Sequence, residues 1–224
     1  MRGSLAASVE FAARVAEVCP HNAPVSSPAP TDGLNLAYNR INASGFEYDN
    51  AGNQTRVVKT GGVVQRFQYD AANRLVKVTD DNKAQLQAFT YGASNQRFMA
   101  QHGAANSDTR TYYAWSNGVT MAEYIETPAQ PNTPQWAQSN IYLGGRLLAT
   151  IAPNGGSEAV TYHHPDRLRT RLTTNAGTMS VQEQNALPYG SALDGESTGA
   201  TARRFTTYER SAATGLDYAV NHTC

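Results

Sequence analysis

The segment Tyr162–Asp166 contains the side chains best suited to bind a metal ion. His163 and His164 are adjacent, and Asp166 follows Pro165. Imidazole and carboxylate groups are common metal ligands. In a strand, however, adjacent side chains point to opposite faces, so the two histidines cannot easily share one ion. We therefore predict a turn at Pro165 and Asp166, and neither a metal site nor a cofactor-binding site.

The residues that catalyse hydrolysis in other proteins do not form a recognisable pattern here. A nucleophilic serine or cysteine needs an orienting base, but the chain has no Gly-x-Ser-x-Gly pattern and its two cysteines are far apart in the sequence. Asp80 with Asp81 is one pair of neighbouring carboxylates, and Glu209 with Asp217 is another. A glycosidase needs two carboxyl groups about 5–10 Å apart across a cleft, which neither spacing predicts. We expect no catalytic residue and a protein that is not an enzyme.

Aromatic residues recur at alternate positions, as in Phe67 and Tyr69 or in Phe89 and Tyr91. Side chains at positions i and i+2 project from one face of a strand. A row of rings suits stacking on a sugar, because a tyrosine combines an apolar face with a polar edge. It also suits aromatic pairing across the strands of a packed sheet. We favour the packed sheet and keep a cell-surface carbohydrate-binding module as the alternative function.

The composition excludes several classes of partner. The 224 residues include 18 Lys and Arg against 18 Asp and Glu, which gives a net charge of zero. This balance, without a basic cluster, predicts no binding to nucleic acid. No apolar run is long enough to predict a membrane span. The N-terminal stretch has no convincing signal peptide, and residues 1–33 are rich in Pro and lack Tyr, which predicts a tail or linker.

A pattern of about 22 residues repeats through the first half of the chain. Its copies begin with alternating aromatic residues and continue into a turn, at residues 46–53, 67–74, 89–96 and, more loosely, 111–118. The anchoring residues are Tyr48, Tyr69, Tyr91 and Tyr113, spaced by 21, 22 and 22 residues. Each copy reads as about two short strands and two turns, because β-branched runs alternate with Gly- or Asp-rich breaks.

The turn in each copy is defined by its last position. Four residues after the anchoring tyrosine lies Gly or Asn, at Gly52, Asn73, Asn95 and Asn117. These two residue types best tolerate a positive φ. An Asp at the strand end caps a type I turn through its side chain. The spacing therefore predicts a hairpin turn that ends in the left-handed conformation.

The period breaks after Glu126. The Pro-rich stretch within residues 127–140 has the composition of an exposed loop. Strand character resumes at Ile141–Ile151, and residues 160–162 and 170–173 are predicted to form further strands.

The repeat resembles the YD repeats of the Rhs family, which is similar to the shells of teneurins and of insecticidal toxin complexes. The Tyr-Asp core is retained at residues 48–53 and 69–74 and is degenerate at 91–96. Residues 142–149 resemble the segment that precedes the Rhs-associated core, and residues 162–172, 187–190 and 204–218 resemble parts of that core in order. Arg167 and Arg169 depart from the usual His and Gly of that core.

This resemblance implies an all-β fold, in which β-hairpins form an open, spiralling sheet that is part of a shell wall. Its expected partners are neighbouring YD repeats and a C-terminal toxin enclosed in the full-length form, and its expected location is secreted or at the cell surface. The family pattern continues past Tyr218 into a self-cleavage site, so we expect a fragment. The predicted division is residues 1–33 as a disordered or unrelated tail, 34–126 as YD repeats, 127–140 as a Pro-rich loop, 141–221 as a core-like segment and 222–224 as a truncated end.

Overall fold

The structure is a computed structural model, and it describes most of the chain from residue 34 onward. The described ranges are 34–35, 40–42, 44–59, 61–103, 108–166, 170–184, 201–203, 208–211 and 213–218. These residues contain seventeen β-strands and no helix. The all-β prediction is therefore confirmed. The predicted N-terminal tail, residues 1–33, and the predicted truncated end, residues 222–224, lie outside the described ranges.

The strands follow the chain in order. They are β1 (Leu34–Asn35), β2 (Arg40–Ile41), β3 (Glu47–Tyr48), β4 (Gln54–Val58), β5 (Val64–Tyr69), β6 (Leu75–Thr79), β7 (Gln85–Tyr91), β8 (Arg97–His102), β9 (Thr109–Ser116), β10 (Val119–Thr127), β11 (Gln130–Leu143), β12 (Arg146–Asn154), β13 (Ser157–Pro165), β14 (Thr170–Asn175), β15 (Val181–Glu183), β16 (Glu209–Arg210) and β17 (Asp217–Tyr218). Thirteen of them, β3 to β15, form one antiparallel sheet in sequence order. The pairs β1–β2 and β16–β17 are separate. The chain divides into two compact units between Ala88 and Phe89.

The predicted turns are confirmed at all four positions. The φ angles are 97° at Gly52, 59° at Asn73, 62° at Asn95 and 49° at Asn117. Because only Gly, and to a lesser extent Asn, adopts this conformation at little cost, the repeat spacing follows directly from backbone sterics.

Asp70 illustrates how one turn is held. Its Oδ1 accepts hydrogen bonds from the backbone N–H of Ala72 at 2.9 Å and of Arg74 at 3.0 Å. The N–H of Asn73 donates to the Asp70 carbonyl at 3.0 Å. Asn53, from the preceding turn, donates its Nδ2 to Asn73 Oδ1 at 2.9 Å. Successive repeats are thus linked turn to turn as well as strand to strand.

The first unit buries one face of its short strands. Phe67 pairs with Val78 in the register of β5 and β6, and Val78 pairs with Gln87 in β7. Val78 is fully buried and Phe67 is 3 % exposed, whereas Gln68 on the opposite face is exposed. This alternation confirms that the aromatic positions of the repeat lie on the packed face.

The expected loop at residues 127–140 is wrong for most of its length, because Gln130–Leu143 forms the long strand β11. Its Pro-rich beginning is exposed, as the composition predicts. Proline lacks the N–H needed in a central strand. Gln130 and Gln135 pair with β10, but residues 131–134 lie in an irregularity of that register, and the pairing of β11 with β12 begins only at Ser139. Prolines 131 and 134 are therefore tolerated because they lie where the ladder is interrupted.

Candidate functional site

A row of polar side chains crosses one face of the second unit. The strand registers place Glu123 opposite Tyr113 and Gln138, and Thr150 opposite Asn140 and Thr161. His163 continues the row opposite Thr173. Because directly paired residues share a face, these side chains form one surface, here called the polar face: Tyr113, Glu123, Gln138, Asn140, Thr150, Thr161, His163 and Thr173. Asn140, His163 and Thr173 are each at most 5 % exposed, which is unusual for polar groups on a sheet surface.

The polar face is covered by a later part of the chain, here called the C-terminal segment: residues 201–203, 208–211 and 213–218. Arg203 forms a β-bridge with Glu209, and the Arg210 N–H donates to the Ala202 carbonyl at 2.8 Å. Arg210 also forms a two-pronged ion pair with Asp217, at 2.8 and 2.7 Å. The segment is therefore one small, internally bonded element.

Arg97 is the main link between the C-terminal segment and the sheet. It is 4 % exposed, and its Nη2 lies 2.9 Å from Glu209 Oε2 and 3.0 Å from the Tyr113 hydroxyl. The guanidinium carbon also lies 4.1 Å from the ring centroid of Tyr218, 4.6 Å from that of Tyr113 and 5.4 Å from that of Phe89. A planar cation surrounded by rings and paired with a carboxylate is a strong, directional contact.

The backbone of Arg97 is bound in the same cluster. Its N–H donates to the Tyr218 hydroxyl at 2.8 Å, and its carbonyl accepts from Trp115 Nε1 at 2.8 Å. The Trp115 and Tyr218 rings meet edge to face at 6.3 Å. Strands β8 and β9 thus supply four groups that recognise the side chains of Glu209 and Tyr218.

The cluster is electrostatically balanced despite its burial. Burial alone lowers the pKa of the Arg97 guanidinium, but the attraction of Glu209 and of the neighbouring tyrosines outweighs this, and the pKa is raised. Burial raises the pKa of Tyr113 and, to a smaller extent, that of Tyr218. At neutral pH the cluster therefore consists of a charged Arg97 and two protonated tyrosines that can donate to a carboxylate.

A cleft of about 220 Å³ lies between the polar face and the C-terminal segment. Its lining includes Glu123 and His163 from the sheet, and Arg203 and Glu209 from the segment. Gln138 Nε2 donates to Glu123 Oε1 at 2.8 Å, and Arg203 Nη2 lies 3.7 Å from the same oxygen. These contacts form a second link, weaker than that of Arg97 because the ion pair is long.

His163 is the most constrained side chain of the cleft. It is 5 % exposed, and its Nε2 lies 3.1 Å from Thr150 Oγ1. Its Nδ1 is buried and has no hydrogen-bond partner among the described residues. Burial, together with the charges of Arg203 and His164, lowers the pKa of His163 to about 4. Burial and the charge of Glu209 raise the pKa of Glu123, an effect that Arg203 partly offsets.

The structure separates the residues that the sequence placed side by side. His163 is buried on the polar face, whereas His164 is exposed and binds Thr174 at 3.0 Å on the other face. Within the described ranges, no group of three or more His, Cys, Asp or Glu side chains is placed to hold a metal ion. Glu209 and Asp217 bind different arginines, Arg97 and Arg210.

The other pair of neighbouring carboxylates, Asp80 and Asp81, is also divided between two contacts. Asp80 caps a turn through the Ala84 N–H, at 2.8 Å, while Asp81 lies 2.7 Å from Arg66. Both carboxylates have structural partners within the first unit.

Sequence reasoning missed Arg97, Glu123 and the cleft. Arg97 follows the third repeat copy and has no equivalent in its pattern, and it meets Glu209 across 112 residues of sequence. Glu209 and Tyr218 lie in segments that resemble the Rhs-associated core, so that resemblance was the one signal pointing to this part of the chain.

The comparison with known families bears on the first unit. Residues 44–85 match the family model of the RHS Repeat. That range contains the Asp49 and Asp70 turns and the strands between them, so the match covers two of the four repeat copies. This part of the chain is an RHS-repeat segment. Its RHS repeats are structural elements, and no curated protein matches the chain. Across the described ranges, no helix has the length and apolarity needed to cross a membrane.

Proposed function

We propose that this Rhs/YD-repeat chain is a non-enzymatic wall segment of a shell that, in a complete protein, encloses a C-terminal toxin and helps to deliver it. The observation that carries the proposal is the docking of the C-terminal segment on the polar face. A sheet with one polar, largely buried face is suited to hold a polypeptide that follows it in the same chain. Arg97, through Glu209 and Tyr218, holds the C-terminal segment against the sheet.

The sheet also has a suitable architecture for a wall. Its strands pair in sequence order, so each new repeat adds to the strand before it. The end strands of such a sheet are templates for further pairing. Neighbouring repeats are therefore the expected partners of β3 and β15, in the manner of other repeat proteins, where each unit contacts the next.

The proposal predicts that the chain shields a polypeptide attached to its C-terminus. An unstructured tail with a single protease site is attached after Cys224 in one version of the full chain and before Met1 in another. We expect the C-terminal tail to be cut about tenfold more slowly, because cleavage requires it to leave the sheet. Introducing Arg97→Met should remove the difference. Equal cleavage rates in the two unsubstituted versions would refute the shielding role.

A second candidate function is carbohydrate binding at a cell surface. It is favoured by large aromatic side chains on the face opposite the polar face, where Tyr124 is 38 % and Tyr162 is 49 % exposed. Exposed aromatic rings can stack on sugars. A glycan array, repeated with Tyr162→Ala, tests this candidate. Binding that is lost in the folded variant supports it, and an array without signal for the parent chain eliminates it.

A further inference from the structure

His163 lies where the C-terminal segment closes over the polar face. Its imidazole is buried, one nitrogen contacts Thr150 and the other has no partner among the described residues. Arg203, on the covering segment, is the cation whose charge acts on it most strongly. A proton added to this ring, which is 5 % exposed, would place a second positive charge close to that of Arg203.

Opening the segment removes that obstacle. When residues 201–203 leave the sheet, the imidazole meets water and Arg203 moves away, so the ring binds a proton as an ordinary histidine does. A state that binds a proton more tightly is favoured as the pH falls. Acid therefore shifts the equilibrium from the docked to the undocked segment.

We propose that His163 makes the C-terminal segment an acid-operated latch, docked on the polar face at neutral pH and released as the pH falls towards 5. The proposal depends on the docking seen in the structure and goes beyond the shell function, which can fail without affecting it. The useful consequence is a timed release of the polypeptide that the sheet holds.

The direction of the pH dependence follows from the difference between the pKa of His163 in the docked and in the open state. With a pKa of 6.5 when open and about 4 when docked, His163 destabilises docking from about pH 6.5 downward. Between pH 8 and pH 5, the equilibrium constant for opening rises about 30-fold from this group alone.

Other ionisable groups around the latch modify this effect. Glu123 acts in the opposite direction, because its pKa is raised in the docked state and acid uptake there favours docking. Burial and the charge of Arg97 lower the pKa of His102, an effect that Glu209 partly offsets. Glu209 also lines the cleft, and His164 lies on the opposite face. A substitution at His163 isolates its own share, since the other groups contribute equally to both proteins.

Hydrogen exchange of the full chain, analysed by mass spectrometry, measures the opening. The Arg97 N–H, on the sheet, is bonded to the Tyr218 hydroxyl of the C-terminal segment, so its protection reports on docking. After correction for intrinsic exchange rates, the amides of β12 serve as the reference. Between pH 8 and pH 5, we expect the parent to lose about 30-fold more protection at the Arg97 N–H than His163→Gln does.

Glutamine at position 163 keeps a polar group near the Thr150 hydroxyl and does not titrate, and His163→Asn provides a second such variant if the first fails to fold. His164→Gln is the matched control, because it removes the neighbouring histidine on the exposed face, whose charge affects the pKa of His163 less than burial and Arg203 do, and it should keep most of the parent's response. The proposal is overturned if the parent keeps its protection at pH 5. It is also overturned if His163→Gln loses as much as the parent, or if His164→Gln abolishes the response.

Discussion

Replacing Arg97 by methionine should undock the C-terminal segment and destabilise the second unit. Methionine fills much of the same space but carries no charge. The substitution leaves the Glu209 carboxylate without its cation and the Tyr113 hydroxyl without the guanidinium bond. It also removes the stacking of the guanidinium between Tyr113 and Tyr218.

The magnitude follows from the burial of the two partners. Removing one partner of a fully buried ion pair costs about 3–5 kcal/mol. The side chain of Arg97 is 5 % exposed, but that of Glu209 is 24 % exposed, so water can solvate part of the abandoned carboxylate. We therefore expect a loss of about 3 kcal/mol for Arg97→Met. Arg97→Lys keeps the charge but loses the planar stacking, and should lose about 1–2 kcal/mol.

Urea unfolding, monitored by tryptophan fluorescence, measures this loss of stability in the second unit, which contains Arg97. The chain has two tryptophans, Trp115 and Trp136, and both lie in the second unit. Arg146→Met is the matched control, because Arg146 is an exposed arginine of the same unit and its replacement should change the free energy of unfolding by less than about 0.5 kcal/mol. An effect of Arg97→Met no larger than that of Arg146→Met would refute the reasoning.

Two further predictions concern the first unit, and calorimetric unfolding of the chain measures both. Asn73→Ala should lower the free energy of unfolding by about 2 kcal/mol, because alanine is strained at a φ of 59° and the hydrogen bond from Asn53 is lost. Asn73→Gly should lower it by less than half of that amount, because glycine adopts this φ without strain. Equal losses would show that the backbone conformation is not the cause. Val78→Ala should lower the free energy of unfolding by about 2 kcal/mol, because the Val78 side chain is fully buried. Val63→Ala is the control and should lower it by less than about 0.5 kcal/mol, because Val63 is 57 % exposed. A larger loss for Val63→Ala would contradict the assignment of the packed face.

The sequence was most informative where a short-range rule fixes the backbone. The four turn positions were predictable because the left-handed conformation restricts the residue type at one site per repeat. Lys83 shows the limit of this rule. It adopts a φ of 67° in a further turn, where the Asp80 carboxylate accepts the Ala84 N–H at 2.8 Å, and lysine gives no such signal. The capping Asp and the pairing of β6 with β7 outweigh the local preference there.

The candidate site was not predictable because its residues are far apart in the sequence. Arg97 meets Tyr218 across 121 residues, and its cluster depends on how the C-terminal segment folds back. The strand β11 was missed for a related reason, since proline is tolerated at an irregularity of the ladder, where residues 131–134 lie. The position of that irregularity depends on how β10 and β11 pair, which local composition does not encode.

The central claim is that the sheet holds the C-terminal segment through Arg97 and Glu209, and a double-mutant cycle tests it most directly. Urea unfolding is measured for the parent, Arg97→Met, Glu209→Gln and the double variant. Residues in direct contact have coupling energies of about 0.5–3 kcal/mol, and a buried charged pair should lie in the upper half of that range. We predict a coupling of about 2 kcal/mol. Additive effects, with a coupling near zero, would mean that the two side chains do not meet and that the segment is not docked in this way.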